Sequence, residues 1–121
     1  YCNGRGLPRN YEKAAKALIK IQKIYKKNSQ RRLYHLVVSF PSEVDDANYV
    51  KLVAESIADM LFEKHQIYYG VHEDTNNLHI HFAINAVSYV DGKKWHQSRG
   101  EFKDMKQNIL ERVNVIKKVY C

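Results

Sequence analysis

VHEDTNNLHIHFAIN, running from Val71 to Asn85, places three histidines within ten residues: His72, His79 and His81. His79-Ile80-His81 lies in a run of β-formers from Leu78 to Val87. Successive side chains of a strand point to opposite faces. His79, His81, Ala83 and Asn85 therefore share one face, and Ile80, Phe82 and Ile84 share the other, which is apolar enough to cover a core. The preceding run, Ile67 to His72, is also strand-like. Glu73-Asp74-Thr75-Asn76-Asn77 between the two is a cluster of turn formers. A hairpin is expected, and it brings His72 beside the His79/His81 pair.

Three neutral imidazoles suit Zn, Cu, Fe, Ni or Mn better than Mg on ligand softness. Three protein ligands also leave coordination positions open for a substrate, the catalytic arrangement rather than the structural one. The competing reading makes His79 and His81 ordinary polar residues on a solvated face. The spacing of three histidines, with a carboxylate turn and an Asn on the same face, favours a metal site.

The chain has 121 residues, enough for one domain, 1–121, with its own core. Apolar residues make up 45% and charged ones 27%, which points to a globular chain. A net charge of +7 and a pI near 9.4 favour a polyanionic partner. Nine tyrosines are many for this length; they suit base stacking or half-buried strand positions. No run is long and apolar enough to cross a membrane, and no secretory signal is visible. The chain reads as cytoplasmic, so a bridge between Cys2 and Cys121 is not expected.

Tyr1 to Asn10 reads as a loop, broken by Gly4, Gly6 and Pro8. Asn10 caps an amphipathic helix over Tyr11 to about Lys27, with Ala14, Leu18, Ile21 and Tyr25 at helical spacing and lysines around them. Those lysines form a solvated face or a phosphate-facing flank. Leu33 to Phe40 (LYHLVVSF) reads as a central strand covered on both sides. Asp45 or Asp46 caps a second helix, Ala47 to Lys64, with Val50, Val53, Ala54, Ile57, Leu61 and Phe62 buried. After the hairpin, Asp91-Gly92 is a turn, and Lys93 to His96 is a short strand or loop. A third helix opens at Ser98 or Gly100, with Phe102, Met105, Ile109 and Val113 apolar. Val115 to Tyr120 is either its end or a last strand. This order is α+β: an antiparallel-rich sheet with helices on one face.

YHLVVSF (Tyr34 to Phe40) and GVHEDTNNLHIHFAIN (Gly70 to Asn85) resemble the relaxases of mobile genetic elements, DNA-nicking enzymes of the HUH endonuclease superfamily. The likeness is greatest to the mobilisation type of IncP-like conjugative plasmids, the MOBP type. The second stretch fits the pattern H-x-D-T-x-x-x-H-x-H-x-x-x-N. The resemblance implies a relaxase palm binding one divalent ion, Mg or Mn, with Zn or Ni accepted in vitro. The ion's ligands would be His72, His79 and His81. It implies that Asp74 assists catalysis, and that Ser39 and Asn85 hold DNA. It also implies a tyrosine nucleophile near the start of the first helix, where Tyr1 falls; Tyr68, on the same strand parity as His72, is its strongest rival. The strand that precedes this tyrosine in the family is not among residues 1–121, so the sheet is expected to lack a central member. The implied reaction is strand-specific nicking of single-stranded DNA at an origin of transfer, through a 5′-phosphotyrosine adduct. Accessory relaxosome proteins are the implied partners.

The chemistry suits these residues independently. A divalent ion polarises phosphodiester oxygens and offsets developing charge, and a phenol is a weak nucleophile until activated. Asp74 or Glu73 would orient His72; Asp74 is also an ordinary turn residue. Arg5 and Arg9, with Arg31, Arg32, Lys93, Lys94 and Arg99, are the loop cations available for phosphate contacts. His35, on the Ser39 face, reads as a core or rim histidine or as one that approaches the site, His65 and His96 as surface residues, and Trp95 as a base-stacking or core-capping residue. Two other functions fit the same residues. One is a non-catalytic single-stranded DNA-binding module. The other is a three-histidine zinc hydrolase, which would form no covalent DNA adduct.

Overall fold

The computed structural model describes residues 1–25, 33–73, 77–95 and 99–120, with side chains through residue 117. Its elements are β1 (Cys2–Arg5), α1 (Tyr11–Ile24), β2 (Leu33–Ser39), α2 (Ala47–Leu61), β3 (Ile67–His72), β4 (His79–Asn85) and α3 (Arg99–Tyr120). The four strands form one sheet in the order β1-β3-β4-β2, and every pair is antiparallel. The class is α+β.

Helix boundaries follow local chemistry. Asn10 accepts from the backbone N–H groups of Glu12 and Lys13, and Asp46 from those of Asn48 and Tyr49. Each cap supplies acceptors for N–H groups that have no partner inside the first turn. On α2, Val50, Val53, Ala54 and Ile57 are fully buried, as their spacing predicts. Each of the larger three contributes about 1.5–3 kcal/mol by leaving water. They meet Ile67, Tyr69 and Val71 of β3 and Ile80, Phe82 and Ile84 of β4 in one core. α3 closes the same face with Ile109 buried and Met105, Val113 and Ile116 half-buried. Phe102, expected on its apolar side, is exposed. Residues 115–120 are the end of this helix.

Several expectations are corrected. The first residues are not all loop: Cys2–Arg5 is an edge strand because β3 offers it a free ladder, with Cys2 opposite Gly70 and Arg5 opposite Ile67. Among the described residues β3 and β4 pair directly. β2 is not a central strand but the other edge; its outward residues Leu33 and Val37 are 45% and 48% exposed. The segment 93–96 forms no further strand among its described residues, only an isolated bridge between Val87 and Lys94.

Helices lie on both faces rather than one. By alternation Asn85 belongs to the histidine face, yet its side chain bonds Leu18 and Gln22 of α1. α1 therefore crosses the histidine face at the Asn85 end of β4 and leaves the His79 end open. No described helix is long and apolar enough to cross a membrane.

Candidate metal centre

His72 closes β3 and His79 opens β4, and the two are register partners; His81 sits opposite Gly70. The hairpin thus delivers three imidazoles to one end of one face. Ring centroids are 4.7 Å apart for His72 and His79, 4.4 Å for His72 and His81, and 4.9 Å for His79 and His81. One ligand nitrogen from each lies within 4.8 Å of the others. Two nitrogens on one Zn-sized ion sit no more than about 4.2 Å apart. Small ring rotations close the set, so the donors fit a divalent transition ion.

Neighbouring groups favour that use. Burial, and then repulsion from His72, His79 and His35, hold the His81 imidazole below its ordinary pKa. It is thereby biased to the neutral form that a metal needs. His79 Nδ1 lies 3.1 Å from the carbonyl oxygen of Asn77. Nδ1–H donating there leaves Nε2 to face an ion, the usual tautomer of a ligating histidine. Gly70 beside His81 has no side chain; a Cβ built there would meet Cys2 Sγ at 3.4 Å.

The expected site residues do not all converge. Ser39 does: it is the register partner of His79 and is exposed on the histidine face. Asp74 lies outside the described residues, as do Arg31, Arg32 and His96. Glu73, the other acidic residue of the turn, is exposed next to His72.

Tyr1 is on the wrong side of the sheet. Its carbonyl accepts from the Val71 N–H at 2.8 Å, its ring lies 6.3 Å from that of Tyr69, and its hydroxyl donates to Glu55 Oε1 at 3.2 Å. The ring and hydroxyl are on the α2 side, because Tyr1 shares the parity of Asn3 and Arg5, not of Cys2. Arg5 follows it: the guanidinium pairs with Asp59 of α2 and lies over Tyr69. Arg9 stays at the β1 edge, donating to the Cys2 carbonyl at 3.1 Å and covering the Tyr1 ring. Tyr68 does lie on the histidine face, but its hydroxyl donates to the Arg9 carbonyl at 2.6 Å. Burial raises the pKa of that phenol above its ordinary value.

Asn85 is not a substrate contact. It is 0% exposed, and its amide is saturated. Oδ1 accepts from Gln22 Nε2 at 3.0 Å and from the Val87 N–H at 3.1 Å. Nδ2 donates to Leu18 O at 3.2 Å and Gln66 Oε1 at 2.9 Å. Two donors and two acceptor lone pairs are all that an amide has. Its work is to clamp α1 to the sheet. His65 is likewise no surface residue: it is 8% exposed, with Nδ1 2.7 Å from the Asn85 carbonyl and its ring edge-on to Trp95. Trp95 caps the core beside Tyr34.

A fourth histidine neighbours the triad, one of the two readings that its parity with Ser39 left open. His35 is exposed on the histidine face, its ring 5.6 Å from that of His81. Its parity with Ser39 was visible in the sequence; the β2–β4 register that carries both to the triad was not.

Known proteins share this arrangement of motifs. A family model described as the MobA/VirD2-like relaxase nuclease domain matches residues 2–113. Two proteins named TraI from Escherichia coli are 45% and 43% identical over 58 residues, 46% of this chain. The protein named rlx from Staphylococcus aureus is 28% identical over 87 residues, 71% of this chain. The matched segments make up 8% of each TraI and 26% of rlx, so the chain spans only a small part of these relatives' length. With the histidine hairpin and the neighbouring Ser39 strand in place, the match over residues 2–113 assigns the chain to the relaxase family, as a nuclease domain of the MobA/VirD2-like type.

Proposed function

We propose that this domain nicks single-stranded DNA by metal-assisted transesterification, as the first step in transferring or mobilising a genetic element. The observation that carries the reading is the convergence of His72, His79 and His81 at the uncovered end of the sheet. These three would hold one divalent ion, Mn or Mg, with Zn and Ni also suited to imidazole donors. When bound, the ion would withdraw charge from the scissile phosphate. Ser39, beside His79, is placed to donate a hydrogen bond to the same phosphate or its neighbour. The excess of 20 Lys and Arg over 13 Asp and Glu attracts the polyanion and makes binding weaken as salt rises. Asp74 remains the proposed partner of His72. The proposed substrate is an origin of transfer, met together with accessory DNA-processing proteins.

In the reaction a phenol oxygen bonds to phosphorus, the P–O3′ bond breaks, and the phenol's proton ends on the released 3′-hydroxyl. Tyr1 is a poor source of that phenol, because its hydroxyl is engaged with Glu55 on the far face. Tyr68 is another poor source, since its hydroxyl is bound to Arg9 and its pKa is raised. The attacking phenol would therefore be one other than these two, brought to the open end of the histidine face.

The test is a denaturing gel of the natural protein incubated with Mn²⁺ and single-stranded DNA containing its nick site. An adduct that resists denaturation is expected, lost with EDTA or in His81→Ala and retained in Tyr1→Phe and Tyr68→Phe. Loss of the adduct in Tyr1→Phe alone would return the nucleophile to Tyr1. Binding with no adduct would favour a DNA-binding module, and metal-dependent cleavage with no adduct would favour a hydrolase.

A further inference from the structure

β2 carries a feature that the triad does not explain. Its outward residues Leu33, His35, Val37 and Ser39 are all exposed, and they alternate with half-buried Tyr34, Leu36 and Val38. The solvent face of an antiparallel sheet is ordinarily polar. Here Leu33 and Val37 are nearly half exposed, with an imidazole between them and no formally charged side chain in the strip. Register fixes where the strip leads: Ser39 lies opposite His79, Val37 opposite His81, His35 opposite Ala83 and Leu33 opposite Asn85. It is a continuous floor running from the triad along the sheet edge for about 20 Å, seven residues at ~3.3 Å each.

We propose that this strip is a stacking floor for the unpaired bases next to the scissile phosphate, with His35 as its central platform. The inference rests on the nicking reading, because the triad fixes where the phosphate sits. An uncharged strip of apolar side chains and one ring suits base faces rather than phosphates. Base faces are available in a single strand and hidden within a stacked duplex, and stacking on a side-chain ring tolerates any base. Phosphates would lie toward the surrounding cations, which the net charge of +7 supplies in excess. The floor thus gives the domain a reason to prefer single strands without base-specific hydrogen bonds.

A binding cycle without metal tests this. Fluorescence anisotropy compares a short oligothymidine with an oligomer of the same length whose sugars lack bases, at one salt concentration. The two carry the same charge. The parent is expected to bind the abasic oligomer roughly tenfold more weakly or worse, the scale of one or more base stacks. His35→Ala and Val37→Ser should each shrink that ratio severalfold, while His35→Phe, which keeps a ring, should preserve it. Repeated over several salt concentrations, the oligothymidine titration should keep the parent's salt slope in each variant, because no cation is removed. A parent that binds both oligomers equally, or a ratio unchanged in both His35→Ala and Val37→Ser, overturns the floor. Failure of nicking would leave this cycle intact, since it uses neither metal nor adduct, so the two ideas fail separately.

Discussion

His72 and His79 face each other across the last rung of the β3–β4 ladder, with ring centroids 4.7 Å apart. This one relationship turns two strand ends into two walls of a candidate metal site, and His81, two residues along β4, supplies the third. The site needs no loop to form it, so its geometry is as rigid as the sheet.

Replacing His81 by Ala should therefore remove metal binding without unfolding the sheet. Affinity for Mn²⁺ by calorimetry is expected to fall on the order of a hundredfold or more, since even partners outside the ligand shell change affinity 10- to 100-fold. Stability should change by less than about 1 kcal/mol, because His81 is half-buried on the face opposite the core cluster. Undiminished Mn²⁺ affinity would show that the three imidazoles do not act together.

Asn85→Leu should be severe for stability and nearly silent for metal. The substitution removes four buried hydrogen bonds, those of the Asn85 amide with Gln22, Gln66, the Leu18 carbonyl and the Val87 N–H. A loss of about 2–4 kcal/mol is expected from a buried network of this kind. Urea denaturation measures it. A loss below half a kcal/mol would mean that α1 does not depend on this clamp.

His65 makes stability depend on pH. Burial, its largest cause, lowers its pKa from the ordinary 6.5, against the raising effect of the Asn85 carbonyl. Between the lowered folded value and 6.5 the unfolded chain binds more protons than the folded one, so stability rises with pH there. Its contribution is complete above 6.5 and lost as pH falls from 6.5 through the folded value. His65→Asn, whose amide can still donate to that carbonyl, should flatten this part of the urea midpoint profile. An identical slope in parent and variant would remove His65 from the account.

Gly92 is the last sensitive point. Its φ is +71°, and a Cβ there would lie 2.1 Å from Tyr25 Cδ1. Gly92→Ala combines backbone strain with a clash against the end of α1, and should cost about 1–3 kcal/mol or more by urea titration. A neutral result would mean that Tyr25 does not rest on this turn.

Local chemistry determined much of this protein from the sequence alone. Caps at Asn10 and Asp46, a helical apolar period on α2 and an alternating run after a polar turn each depend on residues a few positions apart. Hence the hairpin, its three imidazoles on one face and a strand carrying the serine were legible. Tertiary structure decided which element covers each face. CNGR became a strand because β3 left an edge for it, and LYHLVVSF became an edge strand because, among the described residues, β4 is its one neighbour. The same pairing turned Tyr1 and Arg5 away from the histidines. α1, laid across one end of the face, buried Asn85 and left Leu33, His35 and Val37 in the open. Alternation tells which side chains share a face; register and strand order come from pairings between residues tens of positions apart, and those alone decide what the face meets.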